Sequence, residues 1–278
     1  MSGSPSAERR DENFARMYGP WALIAGASEG VGAEFARQVA AAGVSCVLVA
    51  RRGAPLELLG RELQDRHGIG VRTITLDLAL PDAGETLDRA TADLQVGLLA
   101  YVAGSDPNGA RFVDVPLVEW VALTRRNVDT LMSCAYLFGR RMVRARRGGI
   151  ILVSSHAAFS GADRLSTYSA TKAFGLNLGE SLWAELKPLG VDVLNLILDA
   201  TDTPTLRAAL ARHGIALDSL PLALPADVAR VGLAHLSHGP TLIWGGDDKS
   251  EHPFQSDRAR RQRVLDISKR LSLFYGDT

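Results

Sequence analysis

The sequence has little of several features that mark specialised classes of protein. Its 278 residues include only two cysteines, Cys46 and Cys134, which are too few for a disulfide framework. The 31 basic and 31 acidic side chains leave no net charge to attract nucleic acid or an anionic membrane. Residues 1–16 lack the apolar stretch of a secretory signal, and no run of about 18 apolar residues could cross a bilayer. We therefore expect a cytoplasmic protein with a small-molecule partner, no nucleic-acid partner and no membrane span.

Apolar runs rich in β-branched residues alternate with helical stretches along most of the chain. Strands that are apolar almost throughout are buried on both faces of a sheet, so helices must lie above and below it. This alternation predicts an α/β protein with a single-domain, Rossmann-type doubly wound fold over residues 19–246 and a ligand site beyond the carboxyl ends of its strands. The sheet is expected to be seven-stranded and mainly parallel, with strands at Trp21–Ala25, Ser45–Ala50, Val71–Leu76, Val96–Val102, Ile150–Val153, Val191–Leu198 and Thr241–Trp244.

Two segments stand outside this pattern. Residues 1–18 form a polar N-terminal extension, and residues 247–278 form a C-terminal extension that we expect to be helical. The C-terminal segment carries four arginines ahead of an apolar set, so it either docks on the domain with a solvated basic face or serves as a substrate lid or subunit contact. The arginines are Arg258, Arg260, Arg261 and Arg263.

A glycine-rich turn directly follows the first predicted strand. Residues 26–32 have the sequence GASEGVG, and a helix is predicted from Ala33. Glycines allow a tight turn and a close approach of a pyrophosphate, while the helix N-terminus offers N–H groups and a positive dipole. The position after the first strand strengthens this interpretation over that of an ordinary loop. The candidate cofactor-binding residues here are Gly26, Ser28, Gly30, Val31 and Gly32.

The residues after the second and third strands bear on the choice of cofactor. No carboxylate follows the second strand to accept hydrogen bonds from a ribose; Arg51 and Arg52 stand there instead. Two guanidinium groups suit a 2′-phosphate, so we predict NADP(H) in preference to NAD(H), the alternative being two solvated arginines. Asp77, followed by Leu78, is either an acceptor for the adenine amine or a plain turn residue.

Tyr168 and Lys172 form a candidate catalytic pair. They are four residues apart in a predicted helix and therefore share one face. A carbonyl that accepts a hydride also needs a proton, and a tyrosine hydroxyl can supply it. A nearby ammonium favours the phenolate, so Lys172 is expected to lower the pKa of Tyr168 and also to reach the nicotinamide ribose.

With two further residues, this pair resembles the active-site tetrad of the classical short-chain dehydrogenase/reductase family. Residues 168–172 have the sequence YSATK, Ser155 lies thirteen residues before Tyr168, and Asn127 lies forty-one before it. The resemblance spans residues 19 to 246 and implies that Asn127, Ser155, Tyr168 and Lys172 are catalytic. It implies that Ser155, rather than the adjacent Ser154, hydrogen-bonds the substrate oxygen. It also implies that Asn127 bends its helix and holds a water that passes protons to Lys172.

The same resemblance implies further cofactor contacts and shows departures from the family pattern. Ala103 and Gly104 would let the backbone approach the cofactor, and Thr203 would bond the nicotinamide carboxamide. Two asparagines of the family's Asn-Asn-Ala-Gly stretch are replaced by Tyr101 and Val102, so the central sheet must be supported differently. The family's Pro-Gly is replaced by the pair Leu198 and Asp199, and the carboxylate of Asp199 either faces the nicotinamide or turns to solvent and caps the next turn.

The expected function is NADP(H)-dependent transfer of a hydride between nicotinamide and a carbonyl or secondary alcohol, on a hydrophobic substrate. The alternative is a catalytically silent dinucleotide sensor or scaffold on the same fold. A run of five arginines within residues 140–147 could suggest nucleic-acid binding, but no aromatic residues for base stacking are interleaved with it. We predict no metal site. The apolar residues of the Tyr168 helix predict a homodimer or homotetramer.

Overall fold

The computed structural model describes residues 5–212, 214, 216–219, 221–246 and 256–275. Its centre is a parallel sheet in the order β3-β2-β1-β4-β5-β6-β7, in which every neighbouring pair of strands is parallel. The sheet confirms the predicted seven-stranded doubly wound fold. The strands are β1 (Trp21–Ala25), β2 (Ser45–Ala50), β3 (Val71–Thr75), β4 (Val96–Tyr101), β5 (Gly148–Ser155), β6 (Val191–Leu198) and β7 (Thr241–Ile243).

Helices cover both faces of the sheet. One apolar layer joins the sheet to α2, α3 and α9, and the other joins it to α4, α6 and α7. No described helix is both long and apolar enough to span a membrane. The helices are α1 (Pro5–Tyr18), α2 (Gly30–Ala41), α3 (Gly53–His67), α4 (Ala83–Ala90), α5 (Leu117–Thr124), α6 (Thr130–Ala145), α7 (Ser166–Leu186), α8 (Pro204–Arg212), α9 (Pro225–His235) and α10 (Asp257–Tyr275).

The strand register gathers the functional segments at the carboxyl edge of the sheet. Ala25 at the end of β1 pairs with Val49 in β2 and with Tyr101 at the end of β4. Ser155 at the end of β5 pairs with Leu198 at the end of β6. The order of the strands reverses between β1 and β4, so this edge forms the crevice that doubly wound folds use for ligands.

The predicted N-terminal extension contributes to the body of the protein. Tyr18, the last residue of α1, is buried in the core, and its ring lies 4.9 Å from that of Phe14. The Tyr18 hydroxyl donates a hydrogen bond of 2.7 Å to Asp192 on β6, and Lys187 donates one of 2.5 Å to the other oxygen of that carboxylate. A mostly polar segment thus docks on the core through Phe14 and Tyr18. Two apolar side chains are too few to predict such docking from the sequence.

The C-terminal segment contains helix α10, which docks on α7 and the last strand. Asp257 at its start accepts a hydrogen bond of 2.7 Å from the Ile243 amide of β7. One turn later, the buried guanidinium of Arg260 donates to Glu180 of α7 at 2.5 Å. Thr241 donates to the same carboxylate oxygen at 2.9 Å. The remaining part of the predicted extension, residues 247–255 and 276–278, lies outside the described residues.

Candidate active site

The glycine-rich turn lies in close contact with the segment that follows β4. Gly26 has φ +94°, and a β-carbon there would lie 2.8 Å from the Ala103 nitrogen, so only glycine fits this position. The Gly26 amide donates to Val49 of β2 at 2.8 Å, and the Ala103 amide donates to Ala25 of β1 at 2.9 Å. The turn is therefore bonded to β2, and the segment after β4 is bonded to the end of β1 just before the turn.

The N-terminus of α2 opens into the crevice and is suited to an anion. Helix α2 begins at Gly30, after Glu29 in extended conformation, and no described side chain caps it. The first turn of α2 carries no acidic residue, so its N–H groups and positive dipole are available. These features fit the pyrophosphate of a dinucleotide, and Gly26, Ser28, Gly30, Val31 and Gly32 are the residues that line the turn.

The two arginines after β2 differ in their surroundings. Arg51 is exposed and has no hydrogen bond or ion pair with any residue that the structure describes. Arg52 instead forms an ion pair with Glu29 in the glycine-rich turn and donates a longer hydrogen bond of 3.4 Å to Ser28. Only Arg51 is thus immediately available to a phosphate.

The turn after β3 contains Asp77 and Leu78, which are candidate cofactor-binding residues. One carboxylate oxygen of Asp77 accepts a hydrogen bond of 3.0 Å from the Ala79 amide, which is the turn-forming role considered from the sequence. Leu78 is buried, and its carbonyl accepts a hydrogen bond of 2.8 Å from Thr130. The Arg126 guanidinium is near Arg51 and Asp77, and burial together with Arg51 lowers its pKa. Arg126 was not among the residues predicted for the site.

Tyr168, Ser155 and Lys172 come together between β5 and α7. Burial raises the pKa of Tyr168, whereas its hydrogen bond with Ser155 acts in the opposite direction. The Lys172 ammonium lies 5.6 Å from the centre of the Tyr168 ring and donates to the Val153 carbonyl at 3.0 Å. Burial lowers the pKa of Lys172 to about 8. The pKa of Tyr168 is therefore raised, whereas the sequence predicted that it would be lowered. Burial outweighs the stabilisation of the phenolate.

Ser154 and Ser155 have different environments. Ser154 is buried, and its hydroxyl is 3.4 Å from the Lys172 carbonyl, which it contacts as a donor. Ser155 is partly exposed at the end of β5, where its hydroxyl accepts a hydrogen bond of 3.2 Å from the Ala157 amide. The Nε2 atom of His156, the next residue, lies 3.3 Å from the Trp244 carbonyl oxygen. Of the two serines, Ser155 is the one that contacts Tyr168.

Asn127 lies in the middle of a π-helical turn, Arg125–Asp129, between α5 and α6. Its amide nitrogen donates to the Gly104 carbonyl at 3.2 Å and to the Thr171 hydroxyl at 3.0 Å. Its Oδ1 is buried without a hydrogen-bond partner among the described residues. A β-carbon on Gly104 would lie 2.7 Å from this Oδ1 and 3.2 Å from Lys172 Nζ, so glycine is required here as well.

A small cavity adjoins these groups. It has a volume of about 10 Å³, which is close to what one water molecule needs. The partnerless Asn127 Oδ1 and the Lys172 ammonium are polar groups of the kind that hold such a water. The cavity is lined by Ala103, Asn127, Leu131, Leu152, Val153, Ser154, Thr171, Lys172 and Gly175.

The structure gives the contacts of two residues that depart from the family pattern, Tyr101 and Asp199, and of Thr203, which matches it. Tyr101 is fully buried, and its hydroxyl donates a hydrogen bond of 2.6 Å to the Arg126 carbonyl, so it ties β4 directly to the π-helical turn. Asp199 is exposed and accepts a hydrogen bond of 2.8 Å from the Ala200 amide, which is the turn-capping alternative. Thr203 accepts a hydrogen bond of 3.2 Å from the Leu206 amide at the start of α8, and it packs against Gly30.

A doubly wound fold with a helix-borne Tyr–Lys pair beside a glycine-rich turn defines a class of oxidoreductases. The sequence matches the family model for short chain dehydrogenases over residues 20–213. The chain therefore belongs to the short-chain dehydrogenase family, and its architecture is that of the classical type. The match confirms the resemblance found in the sequence.

Individual proteins and solved structures of the family are similar to this chain. The 7beta-hydroxysteroid dehydrogenase of Collinsella aerofaciens is 35% identical over 198 residues, which are 71% of this chain and 75% of that protein. A solved 7beta-hydroxysteroid dehydrogenase superposes with a TM-score of 0.77 at 30% identity, covering 92% of this chain and 94% of that one. A short-chain dehydrogenase from Sphingobium yanoikuyae in complex with NADPH superposes with a TM-score of 0.74 at 27% identity, covering 93% and 96%.

Proposed function

We propose that this protein is an NADP(H)-dependent oxidoreductase that interconverts a carbonyl and a secondary alcohol on a bulky hydrophobic substrate. The observation that carries the proposal is the convergence of Ser155, Tyr168, Lys172 and Asn127 at the edge where the glycine-rich turn opens. Ser155 lies close enough to Tyr168 to lower its pKa against the effect of burial, and Asn127 is joined through Thr171 to the helix that carries Tyr168.

In the reductive direction, Tyr168 is the general acid. The nicotinamide, when bound, supplies the hydride that the carbonyl carbon receives. The Tyr168 hydroxyl donates its proton to the carbonyl oxygen, and the Ser155 hydroxyl hydrogen-bonds that oxygen as its negative charge develops. Because burial raises the pKa of Tyr168, the hydroxyl remains protonated at neutral pH, as an acid must.

Lys172 and Asn127 support the resupply of the proton to Tyr168. The Lys172 ammonium and the partnerless Oδ1 of Asn127 both lie beside the α-carbon of Gly104, next to the cavity sized for one water. A water held there would hydrogen-bond both groups and pass protons to Lys172. In this scheme, Asn127 would position the water, and Lys172 would also hold the ribose hydroxyls of the cofactor.

The residues that would hold the cofactor lie along the crevice. Gly26, Ser28, Gly30, Val31 and Gly32 would receive the pyrophosphate, as the uncapped start of α2 suggests. Arg51 and Arg52 would bind the 2′-phosphate, with Asp77 and Leu78 beside the adenine. The remaining contacts would come from Ala103, Gly104, Tyr168, Lys172 and Thr203.

The substrate class is supported by the composition of residues 204–224, which follow Thr203 in the sequence, and by the hydroxysteroid dehydrogenase relatives. Residues 204–224, which include α8, are rich in alanine and leucine. An apolar lining suits a large hydrophobic ketone or secondary alcohol. We further propose that the protein is cytoplasmic and forms a homodimer or homotetramer. Half-buried apolar side chains on α7, namely Phe174, Leu178, Leu182 and Leu186, support the latter proposal.

The test is oxidation of NADPH in the presence of steroid, acyl, sugar and aromatic carbonyls, with Tyr168→Phe as the matched variant. This substitution keeps the ring and removes the transferable proton, so turnover should fall roughly 10²–10⁴-fold while NADPH binding is retained. Near-normal turnover by the variant would disprove the mechanism. NADPH binding by the native protein without turnover on any carbonyl would favour the alternative of a silent dinucleotide sensor.

A further inference from the structure

Glu29 occupies an unexpected place for an acidic side chain. It belongs to the glycine-rich turn and is the last residue before α2, next to the groups proposed to bind phosphate. Its carboxylate is only partly exposed and has a partner for each oxygen: Oε2 pairs with Arg52, and Oε1 accepts a hydrogen bond of 2.9 Å from Thr205 on α8. The side chain is thus held in the cofactor crevice from two sides.

The ion pair with Glu29 makes Arg52 less available to a phosphate than Arg51 is. The Arg52–Glu29 ion pair joins the turn after β2 to the turn after β1, so it spans the groove between them. In this geometry, the charge of Arg52 is already balanced by a carboxylate, whereas Arg51 has no ion pair among the described residues. A phosphate that arrives in the groove must either share Arg52 with Glu29 or displace it.

We propose that Glu29 is a specificity-determining residue that limits the preference for NADPH over NADH by competing with the 2′-phosphate for Arg52. NADH lacks the 2′-phosphate and does not compete for Arg52, so the competition affects NADPH alone. This inference deepens the proposed function and rests on it.

The test is Glu29→Gln, with dissociation constants for NADPH and NADH measured by calorimetry in the absence of any substrate. Glutamine removes the charge but keeps an oxygen that can accept from Thr205, so α8 stays in place. Exposed ion pairs are weak, so NADPH should bind roughly three- to fivefold more tightly, with NADH unchanged. The matched control is Glu34→Gln, which removes the same charge from α2 at an ion pair with Arg37.

A double-mutant cycle with Arg52→Ala separates competition from a general loss of charge. If Glu29 acts through Arg52, the gain from Glu29→Gln should be largely lost in the Arg52→Ala background. An unchanged or weakened NADPH affinity in Glu29→Gln would overturn the inference, as would an equal gain for NADH. If the native protein prefers NADPH and Glu29→Gln has no effect, only this inference fails. If the native protein binds neither dinucleotide, the proposed function fails with it.

Discussion

Arg260 and Glu180 form a buried ion pair that connects α10 to the helix that carries Tyr168. Their side chains are only 7% and 11% exposed, and the two atoms are 2.5 Å apart. The Glu180 carboxylate also accepts a hydrogen bond from Thr241, and the Arg260 guanidinium lies 5.3 Å from the centre of the Phe159 ring. The pair therefore ties together α7, β7, α10 and the segment that follows Ser155.

The expected magnitude follows from this burial. Arg260→Met leaves the Glu180 carboxylate buried without its cation, so the free energy of unfolding should fall by about 3–5 kcal/mol. Glu180→Leu removes the carboxylate that Arg260 contacts at 2.5 Å, so it should also lower the free energy of unfolding. The double variant buries no unpaired charge, because both groups are replaced by apolar side chains. The buried Thr241 hydroxyl loses its acceptor, so the double variant should lose about 1–3 kcal/mol, which is less than the sum of the two single losses.

Denaturant unfolding of the native, single and double variants measures these differences. Arg230→Met is the matched control, since the Arg230–Asp227 pair has side chains that are 65% and 44% exposed. That control should change stability by less than about 1 kcal/mol. A loss below about 1 kcal/mol for Arg260→Met, or additive losses in the double variant, would refute the reasoning that the pair is buried and mutually dependent.

Three further predictions concern the site and the assembly. Burial lowers the pKa of Lys172 to about 8, so its ammonium is lost as the pH rises through that value, while Tyr168 stays protonated. The kcat/KM for carbonyl reduction should therefore fall above about pH 8, and a flat profile to pH 10 would contradict this. Arg51→Ala should weaken NADPH binding roughly tenfold or more without affecting NADH, and Arg52→Ala should weaken it less, because Glu29 already balances Arg52. Calorimetry with both cofactors checks this, and equal losses of NADPH and NADH would disprove it. Light scattering at micromolar concentration should give the mass of a dimer or tetramer, and a strictly monomeric mass would exclude the assembly.

The sequence was informative where chemistry depends on local spacing. Four-residue separation in a helix places Tyr168 and Lys172 on one face, whatever surrounds them. Predicted strand ends differ from the observed ones by only one or two residues. Strand β5, predicted at Ile150–Val153, extends to Gly148–Ser155 because it pairs along its whole length with β6. Such pairing depends on a distant segment and cannot be deduced from one strand's own residues.

The direction of the pKa shifts could not be predicted in the same way. A nearby ammonium and a buried environment push the pKa of Tyr168 in opposite directions, and the balance depends on how completely the folded chain excludes water. The same holds for Asn127, whose partnerless oxygen arises only because α6, α7 and the segment after β4 converge. Neither the raised pKa of Tyr168 nor the partnerless oxygen of Asn127 can be deduced from the sequence alone.

The sequence by itself determined the alternation of strands and helices and the glycine-rich turn, because each depends on periodicity or short spacing. The tetrad was inferred from the resemblance to the family. Only the tertiary structure decided which partners these residues meet. Glu29 and Arg52 are 23 residues apart, yet they pair because β1 and β2 are adjacent in the sheet. Tyr101 supports the turn that holds Asn127 because the end of β4 lies beside it. Contacts of this kind are set by the packing of elements that are distant in the chain, and local sequence carries no record of them.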